Sequence, residues 1–191
     1  MRNGEKSVQK SYKCSECRDT GWILRPSENS APIAVSCRCR EEERIRSQWI
    51  RSGLNPDQDI YTFTSYRVWN ESSRIAKETA FAYYRDFGKV KGERRNSILF
   101  SGQPGIGKSH LAIALGLNFL KKNMNVVYMP YRDCISRIKR KILDDEYYQR
   151  EISKFQCADI LLIDDLFKGK ITEADINIVF EILNHRYLNF L

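Results

Sequence analysis

Gly102-Gln103-Pro104-Gly105-Ile106-Gly107-Lys108-Ser109 reads as G-x-x-x-x-G-K-[ST], directly after the apolar run Ile98-Leu99-Phe100 and directly before the helical run Leu111 to Phe119. No other feature of the chain limits the fold so tightly. A glycine-rich turn between strand and helix lets successive backbone N–H groups converge on one point while the helix presents its positive end, the arrangement that holds a phosphate chain. On this reading Gly102, Gln103, Pro104, Gly105, Ile106, Gly107, Lys108, Ser109 and His110 form a nucleotide-binding stretch. Lys108 bridges the β- and γ-phosphates of ATP, and Ser109 ligates Mg²⁺, a cation that takes few protein ligands and keeps several waters.

The run Ile160-Leu161-Leu162-Ile163-Asp164-Asp165 supplies the second half of such a site, an acidic pair at the carboxyl end of a buried strand. Asp164 is expected to hold Mg²⁺ and its water shell, and Asp165 to orient the attacking water, so Lys108, Asp164 and Asp165 form the expected catalytic set. Either acid alone is equally well explained as a strand-end cap. The pair beside a phosphate loop is not.

Around these two motifs, short apolar runs alternate with helical patterns. Ile98 to Phe100, Val126 to Met129 and Ile160 to Ile163 read as strands. Leu111 to Phe119, Cys134 to Leu143 and a last segment through Ile176, Val179, Phe180, Leu183 and Tyr187 read as helices. Strands without inside/outside alternation, separated by helices, indicate an α/β fold with a parallel sheet covered on both faces. Upstream, Asn70 or Ser72 is placed to cap a helix with Ile75, Ala76, Thr79, Ala80, Tyr83 and Phe87 on one face, ending at Gly88. A charged helix with Ile45, Trp49 and Ile50 precedes Gly53-Leu54-Asn55-Pro56, which is expected to break it and mark a domain boundary. The resulting division is 1–52, 53–95 and 96–191.

The first segment contains Cys14, Cys17, Cys37 and Cys39, in the pattern C-x2-C-x19-C-x-C, bracketing Asp19-Thr20-Gly21 and Pro26. Four soft ligands at this spacing predict a tetrahedral Zn²⁺ site; an iron–sulfur centre or a redox disulfide pair are the alternatives that the residues alone leave open. There are too few apolar residues before Arg40 to build a core, so the metal is expected to supply much of the folding free energy there. Cys134 and Cys157 lie outside the cluster and read as small buried hydrophobes.

No apolar run approaches bilayer length, and the polar, basic stretch Met1 to Tyr12 lacks the apolar centre of a secretion signal, so a cytoplasmic location is expected and a membrane partner is not. The net charge of +8 is unevenly spread: residues 61–95 carry +4 and 96–150 carry +5, whereas 151–191 carry −3. Within the basic middle, Arg137, Arg140 and Lys141 share one helical face, where they meet either nucleic-acid phosphates or solvent. His110 and His185 form no visible triad with a nucleophile and read as structural.

Gly102 to Ala112, Leu161 to Leu166 and the Arg186-Tyr187 pair resemble the AAA+ ATPases and, within them, the bacterial and phage helicase loaders of the DnaC and DnaI type, with the IstB transposition helpers close by. The Cys-x-x-Cys-x-Asp-Thr-Gly-Trp start is similar to that of the loaders. Tyr61-Thr62-Phe63 with Tyr66 is similar to the segment that lines the adenine pocket in initiator and loader ATPases. The resemblance implies an AAA+ P-loop domain behind a helicase-docking zinc module, acting in DNA replication with a replicative ring helicase and single-stranded DNA as partners. It also implies self-association through the ATPase domain and a DNA-binding role for Arg137, Arg140 and Lys141. An IstB-like transposition helper and a zinc adaptor that binds nucleotide without hydrolysing it are the competing readings. In most AAA+ enzymes a glutamate stands where this chain has Asp165, which implies slow turnover. The family core continues with a sensor strand, an arginine finger and a fifth strand, and the expectation is therefore a C-terminally truncated chain with an open sheet centre and weak or absent ATPase activity.

Overall fold

The computed structural model describes residues 12–27, 30–51, 54 and 60–191. The basic segment before Tyr12, and Gly53, Asn55 and Pro56 of the expected break, lie outside the described residues. Two compact units are present, Met1–Arg44 and Ile45–Leu191, with the division inside a helix and ahead of the segment read as a break. Trp49 and Leu54 explain the earlier division, because both are buried in the core of the second unit.

In the first unit β1 (Trp22–Ser27) and β2 (Ser30–Ser36) form an antiparallel hairpin with Trp22 opposite Ser36 and Leu24 opposite Ala34. Leu24 and Ile33 are exposed, so this hairpin has no core of its own. Helix α1 (Arg38–Arg51) begins just after Cys37. Trp49 within it is fully buried and Ile50 is half-exposed, while the Ile45 side chain lies outside the described residues.

The second unit is built around a parallel pair, β3 (Val126–Pro130) and β4 (Ile160–Asp164), in the register Tyr128 to Leu162 and Pro130 to Asp164. Alternate residues face opposite sides, and both sides are covered. Val126 and Leu162 join the cluster with Trp49, Leu111, Leu115 and Phe119, while Val127 and Met129 join Ile135, Ile138, Ile152 and Ile182. The first cluster is contributed largely by α2 (Glu71–Val90) and α3 (Lys108–Lys121), the second by α4 (Tyr131–Arg140), α5 (Asp145–Gln156) and α6 (Glu173–Leu188). Gly116 of α3 lets Trp49 approach closely, since a Cβ there would lie 2.5 Å from the indole ring. The Trp49 Nε1–H donates to the Val126 carbonyl at 2.9 Å, satisfying the indole inside the core.

Several expectations change in this frame. Asn70 caps α2 in a capping box with Ser73, but the helix continues through Gly88 to Val90, because a glycine inside a helix that also packs Phe87 and Val90 costs less than the lost packing. Its buried face runs through Ser73, Ala80 and Phe87, leaving Ile75 exposed. Helix α5, started by Asp144 accepting from the Tyr147 N–H, occupies a stretch to which the apolar pattern assigns no element. Ile98-Leu99-Phe100 alternates half-buried, exposed, half-buried like a strand, yet it pairs with none of the described strands, and Leu99 is 81% exposed. A strand is defined by its ladder, and β4 is paired on one edge only among the described residues. On α6 the buried residues are Asp175, Ile178, Val179, Ile182 and Arg186, with Ile176, Phe180, Leu183 and Tyr187 exposed. Apolar side chains cover more than half of the helix circumference, so periodicity could not choose the face. Cys134 is buried as expected, but Cys157 is exposed where it caps the end of α5. No helix among the described residues is long and apolar enough to cross a membrane.

Candidate functional site

The phosphate loop sits between the extended segment 97–100 and the first turn of α3, whose N-cap is Gly107. Gly107 has φ +92 and a Cβ on it would lie 2.6 Å from the Tyr66 ring, so only glycine fits both the backbone and the close approach. Tyr66 also donates its hydroxyl to the Ile106 carbonyl at 3.3 Å and thereby buttresses the loop from the side. The Lys108 ammonium donates to the carbonyls of Gly102 and Gln103 at 2.9 and 2.8 Å, spanning the loop it is expected to serve.

The structure brings the two sequence motifs together. Ser109 Oγ donates to Asp164 Oδ1 at 2.7 Å across a sequence distance of 55 residues, giving two adjacent hard oxygen ligands of the kind Mg²⁺ accepts. The Asp165 N–H donates to the same Oδ1 at 3.0 Å, and the Tyr128 hydroxyl donates to Oδ2 at 3.0 Å. Burial and the Asp164 charge push the Tyr128 phenol well above its ordinary range, so it remains a donor. Asp165 adopts φ +54, a left-handed backbone uncommon outside glycine, and pairs with Lys168 at 2.8 Å. These donor sets fit a Mg²⁺–nucleotide: Ser109 and Asp164 would hold the ion, which would neutralise charge on the phosphates, and the loop amides and Lys108 would hold the phosphates themselves.

Tyr61, Thr62 and Tyr66 lie beside this loop. His110 Nε2 is 2.8 Å from the Thr62 carbonyl, and the imidazole meets the rings of Tyr61 and Tyr66 edge-on at 5.5 and 5.3 Å. His110 therefore fastens the aromatic segment to the start of α3. Tyr66, expected as part of the adenine-pocket segment, also buttresses the loop, and Tyr128 is the contributor that sequence reasoning passed over. The signal for Tyr128 was available as a single hydroxyl-bearing ring in an otherwise apolar strand.

The four cysteines form a separate centre in the first unit. Their sulfurs all lie within 4.8 Å of one another, with Cys14 to Cys37 at 3.7 Å and Cys17 to Cys39 at 3.4 Å. Four thiolates around one zinc at about 2.3 Å stand about 3.8 Å apart, so the donor set fits that ion. The geometry depends on the intervening residues: Asp19 accepts from the backbone of Lys13 and Cys14, Thr20 donates to the Cys17 carbonyl, and the Gly21 N–H reaches the Cys17 sulfur at 3.3 Å. Burial raises the Cys17 thiol, but the Gly21 N–H and the neighbouring sulfurs outweigh it and bring the group down to about 7. The Arg40 guanidinium stacks 4.5 Å over Trp22, closing the Cys-x-x-Cys-x-Asp-Thr-Gly-Trp turn against the start of α1.

Arg137, Arg140 and Lys141 are exposed near the end of α4. They are not equivalent. Arg137 faces the buried Glu151 carboxylate at 3.6 Å, and the Lys141 ammonium lies 4.4 Å over the Tyr147 ring, which Arg150 flanks at 5.4 Å.

A phosphate loop opening a helix, an acidic strand end hydrogen-bonded to its serine and helices on both faces of a parallel pair define a P-loop nucleotide-binding α/β protein of the AAA+ type. The chain belongs to the IstB-like ATP-binding protein family, whose model matches residues 67–189. Among curated relatives it is 31% identical over 173 residues to the uncharacterized protein YqaM of Bacillus subtilis, covering 86% of this chain and 54% of that protein. It is 30% identical over 186 residues to the phage-like element PBSX protein XkdC of the same organism, covering 93% of this chain and 68% of that one. The replicative helicase loader DnaC of Escherichia coli is 29% identical over 131 residues, 66% of this chain and 51% of the loader. The chain thus spans about half the length of YqaM and DnaC. In fold it is similar to the crystal structure of the DnaC helicase loader, with a TM-score of 0.60 at 24% identity over 68% of this chain and 72% of that one. It is also similar to AMPPCP-bound DnaA from Aquifex aeolicus, with a TM-score of 0.59 at 27% identity over 71% of this chain and 40% of that one.

Proposed function

We propose that this protein is an ATP-dependent helicase loader of DNA replication, acting in the cytoplasm, in which Gly102 to His110 bind ATP, Ser109 and Asp164 hold Mg²⁺, and a zinc module carries the docking surface for a replicative ring helicase. The observation that carries the reading is the coexistence of two built centres, the Ser109–Asp164 pair at 2.7 Å and the four sulfurs within 4.8 Å of one another. The family model begins at residue 67 and so leaves the cysteine centre out, whereas the similarity to the phage-like element protein covers 93% of the chain. The similarity to the insertion-sequence ATP-binding proteins covers 50% of the chain and that to the phage-like element protein nearly all of it, which supports a loader over a helper. AMPPCP binding by DnaA supports ATP as the nucleotide. Lys108, Asp164 and Asp165 are the residues proposed for hydrolysis, with Asp165 leaving Lys168 to orient water. Arg140 and Lys141, with Arg137 behind them, are proposed to meet single-stranded DNA.

The test is capture of a hexameric bacterial replicative helicase by the full chain, compared with Cys14→Ser/Cys17→Ser and with Lys108→Ala. The loader reading expects capture that depends on the cysteine centre, with nucleotide state altering retention of DNA. A chain that ignores the helicase but assembles on duplex DNA with ATP is a transposition helper. One that binds nucleotide and neither polymer is an adaptor.

A further inference from the structure

We propose that Tyr128 is a positioning residue for the metal ligand Asp164, fixing the orientation of its carboxylate so that Oδ1 stays turned toward Ser109. The inference rests on the Mg²⁺–nucleotide reading of the site and goes beyond it by assigning a role to a residue that no motif marks. In the β3–β4 register Tyr128 stands opposite Leu162, and Leu162 and Asp164 project from the same face of β4. The tyrosine therefore reaches Asp164 diagonally across the parallel pair, and its hydroxyl donates to Oδ2 at 3.0 Å. A carboxylate at a strand end is free to rotate about its last torsion, which is broad and two-fold. Ser109 and the Asp165 N–H both bond Oδ1, so the hydroxyl of Tyr128 is the donor that holds the other oxygen.

The ring is itself held. Tyr128 packs against Trp49 with centroids 5.9 Å apart, and Trp49 is anchored by its hydrogen bond to Val126 and its seat on Gly116. A rigid ring thus delivers a hydroxyl to a ligand oxygen, the arrangement by which partners of a metal ligand restrict it to one productive orientation.

Tyr128→Phe removes one oxygen atom and keeps the ring against Trp49. The measurement is the affinity of the full chain for ATP carrying a fluorescent ribose label, titrated at increasing free Mg²⁺ and in EDTA, together with direct Mn²⁺ binding in the presence of nucleotide, followed by electron paramagnetic resonance. The variant is expected to need about tenfold more free Mg²⁺, and about tenfold more Mn²⁺, for half-maximal effect. Its metal-free nucleotide affinity is expected to stay within about twofold of the parent, because the Tyr128 hydroxyl bonds Asp164 whereas Lys108 bonds the loop carbonyls of Gly102 and Gln103. An unchanged metal requirement overturns the proposal. Equal loss with and without metal also overturns it, by showing that Tyr128 serves packing alone. A parent protein whose nucleotide binding ignores Mg²⁺ overturns the underlying site reading instead, a result visible before any variant is made.

Discussion

At the scale of single residues, the phosphate loop separates a residue that serves the ligand from one that serves the fold. Among the described residues the Lys108 ammonium donates to the carbonyls of Gly102 and Gln103 on an exposed loop, so its removal leaves no buried group unpaired. Lys108→Ala is expected to weaken ATP binding at least about tenfold while moving the thermal midpoint by less than about 2 °C, since it removes a charge-assisted bond to phosphate and leaves the core packing intact. Nucleotide titration and a melting curve on the same sample check both halves. Arg186 is the opposite case. It is buried, and its guanidinium donates to the carbonyls of Phe155, Gln156 and Ala158 at 3.1, 3.1 and 2.6 Å, closing the carboxyl end of α5. Burial lowers its proton affinity, yet the cluster of carbonyl dipoles at a helix end is a favourable place for a cation. Arg186→Leu strands those carbonyls in a dry site and is expected to cost about 2–4 kcal/mol, or roughly 5–10 °C in melting temperature. A urea or thermal melt showing a change under about 1 kcal/mol would mean that water takes over the three carbonyls.

At the scale of elements, the cysteine hairpin lacks an apolar core among the described residues, with Leu24 70% and Ile33 57% exposed, so its order is expected to come from a metal held by the four cysteines. The full chain is expected to bind about one zinc, and strong chelation to abolish the β1–β2 hairpin signals while the α/β unit, with its own core, melts as before. Elemental analysis showing iron, or native hairpin amide shifts in metal-free protein, would contradict this. The end of α4 makes a second prediction. Arg140→Glu with Lys141→Glu is expected to lower single-strand affinity and to flatten its salt slope by roughly 0.7 for each phosphate that the variant no longer neutralises. Arg137→Glu is expected to act chiefly on stability, because Arg137 faces the buried Glu151, whose remaining ion pair among the described residues is with Lys154. An unaltered slope in the double variant would leave that face to solvent. The same elements show what the sequence could and could not reveal. The loop, the acidic strand end and the cysteine cluster were legible because each is a short local pattern, although the cysteine spacing by itself left zinc, iron–sulfur and disulfide chemistry open. The buried face of α6 was not, because Ile176, Ile178, Val179, Phe180, Ile182 and Leu183 spread over more than half of its circumference. Helix α5 was missed because its apolar positions, Ile152 and Phe155, are few and its start depends on an Asp144 side-chain cap. Tyr128 carried no motif, since its role arises only when β3 and β4 are set in register.

At the scale of the whole molecule, the described residues leave two unusual surfaces in the α/β unit: the strand-like segment 98–100, which has no ladder partner and whose Leu99 is 81% exposed, and a stripe on α6. On that stripe Ile176, Phe180, Leu183 and Tyr187 are 50%, 65%, 42% and 50% exposed at helical spacing. An open strand edge and a contiguous apolar stripe both favour association. The net charge of +8 opposes it, because like-charged chains repel over a screening length of roughly 10 Å at 0.1 M salt. The balance predicts self-association that strengthens as salt is raised from roughly 0.05 M to 0.5 M, the reverse of what ion-paired interfaces would do. Sedimentation of the 22.4 kDa chain across roughly 5–200 µM should show the average mass rising with concentration and with salt. Leu99→Lys and Phe180→Lys each place a charge on one surface only, so the variant that restores the monomer identifies the surface responsible. A parent that stays monomeric at the highest concentration and salt would refute the prediction. A mass that falls as salt rises would refute it too, and would point to ion pairs between basic residues of 61–150 and the acidic segment 151–191, which carries −3.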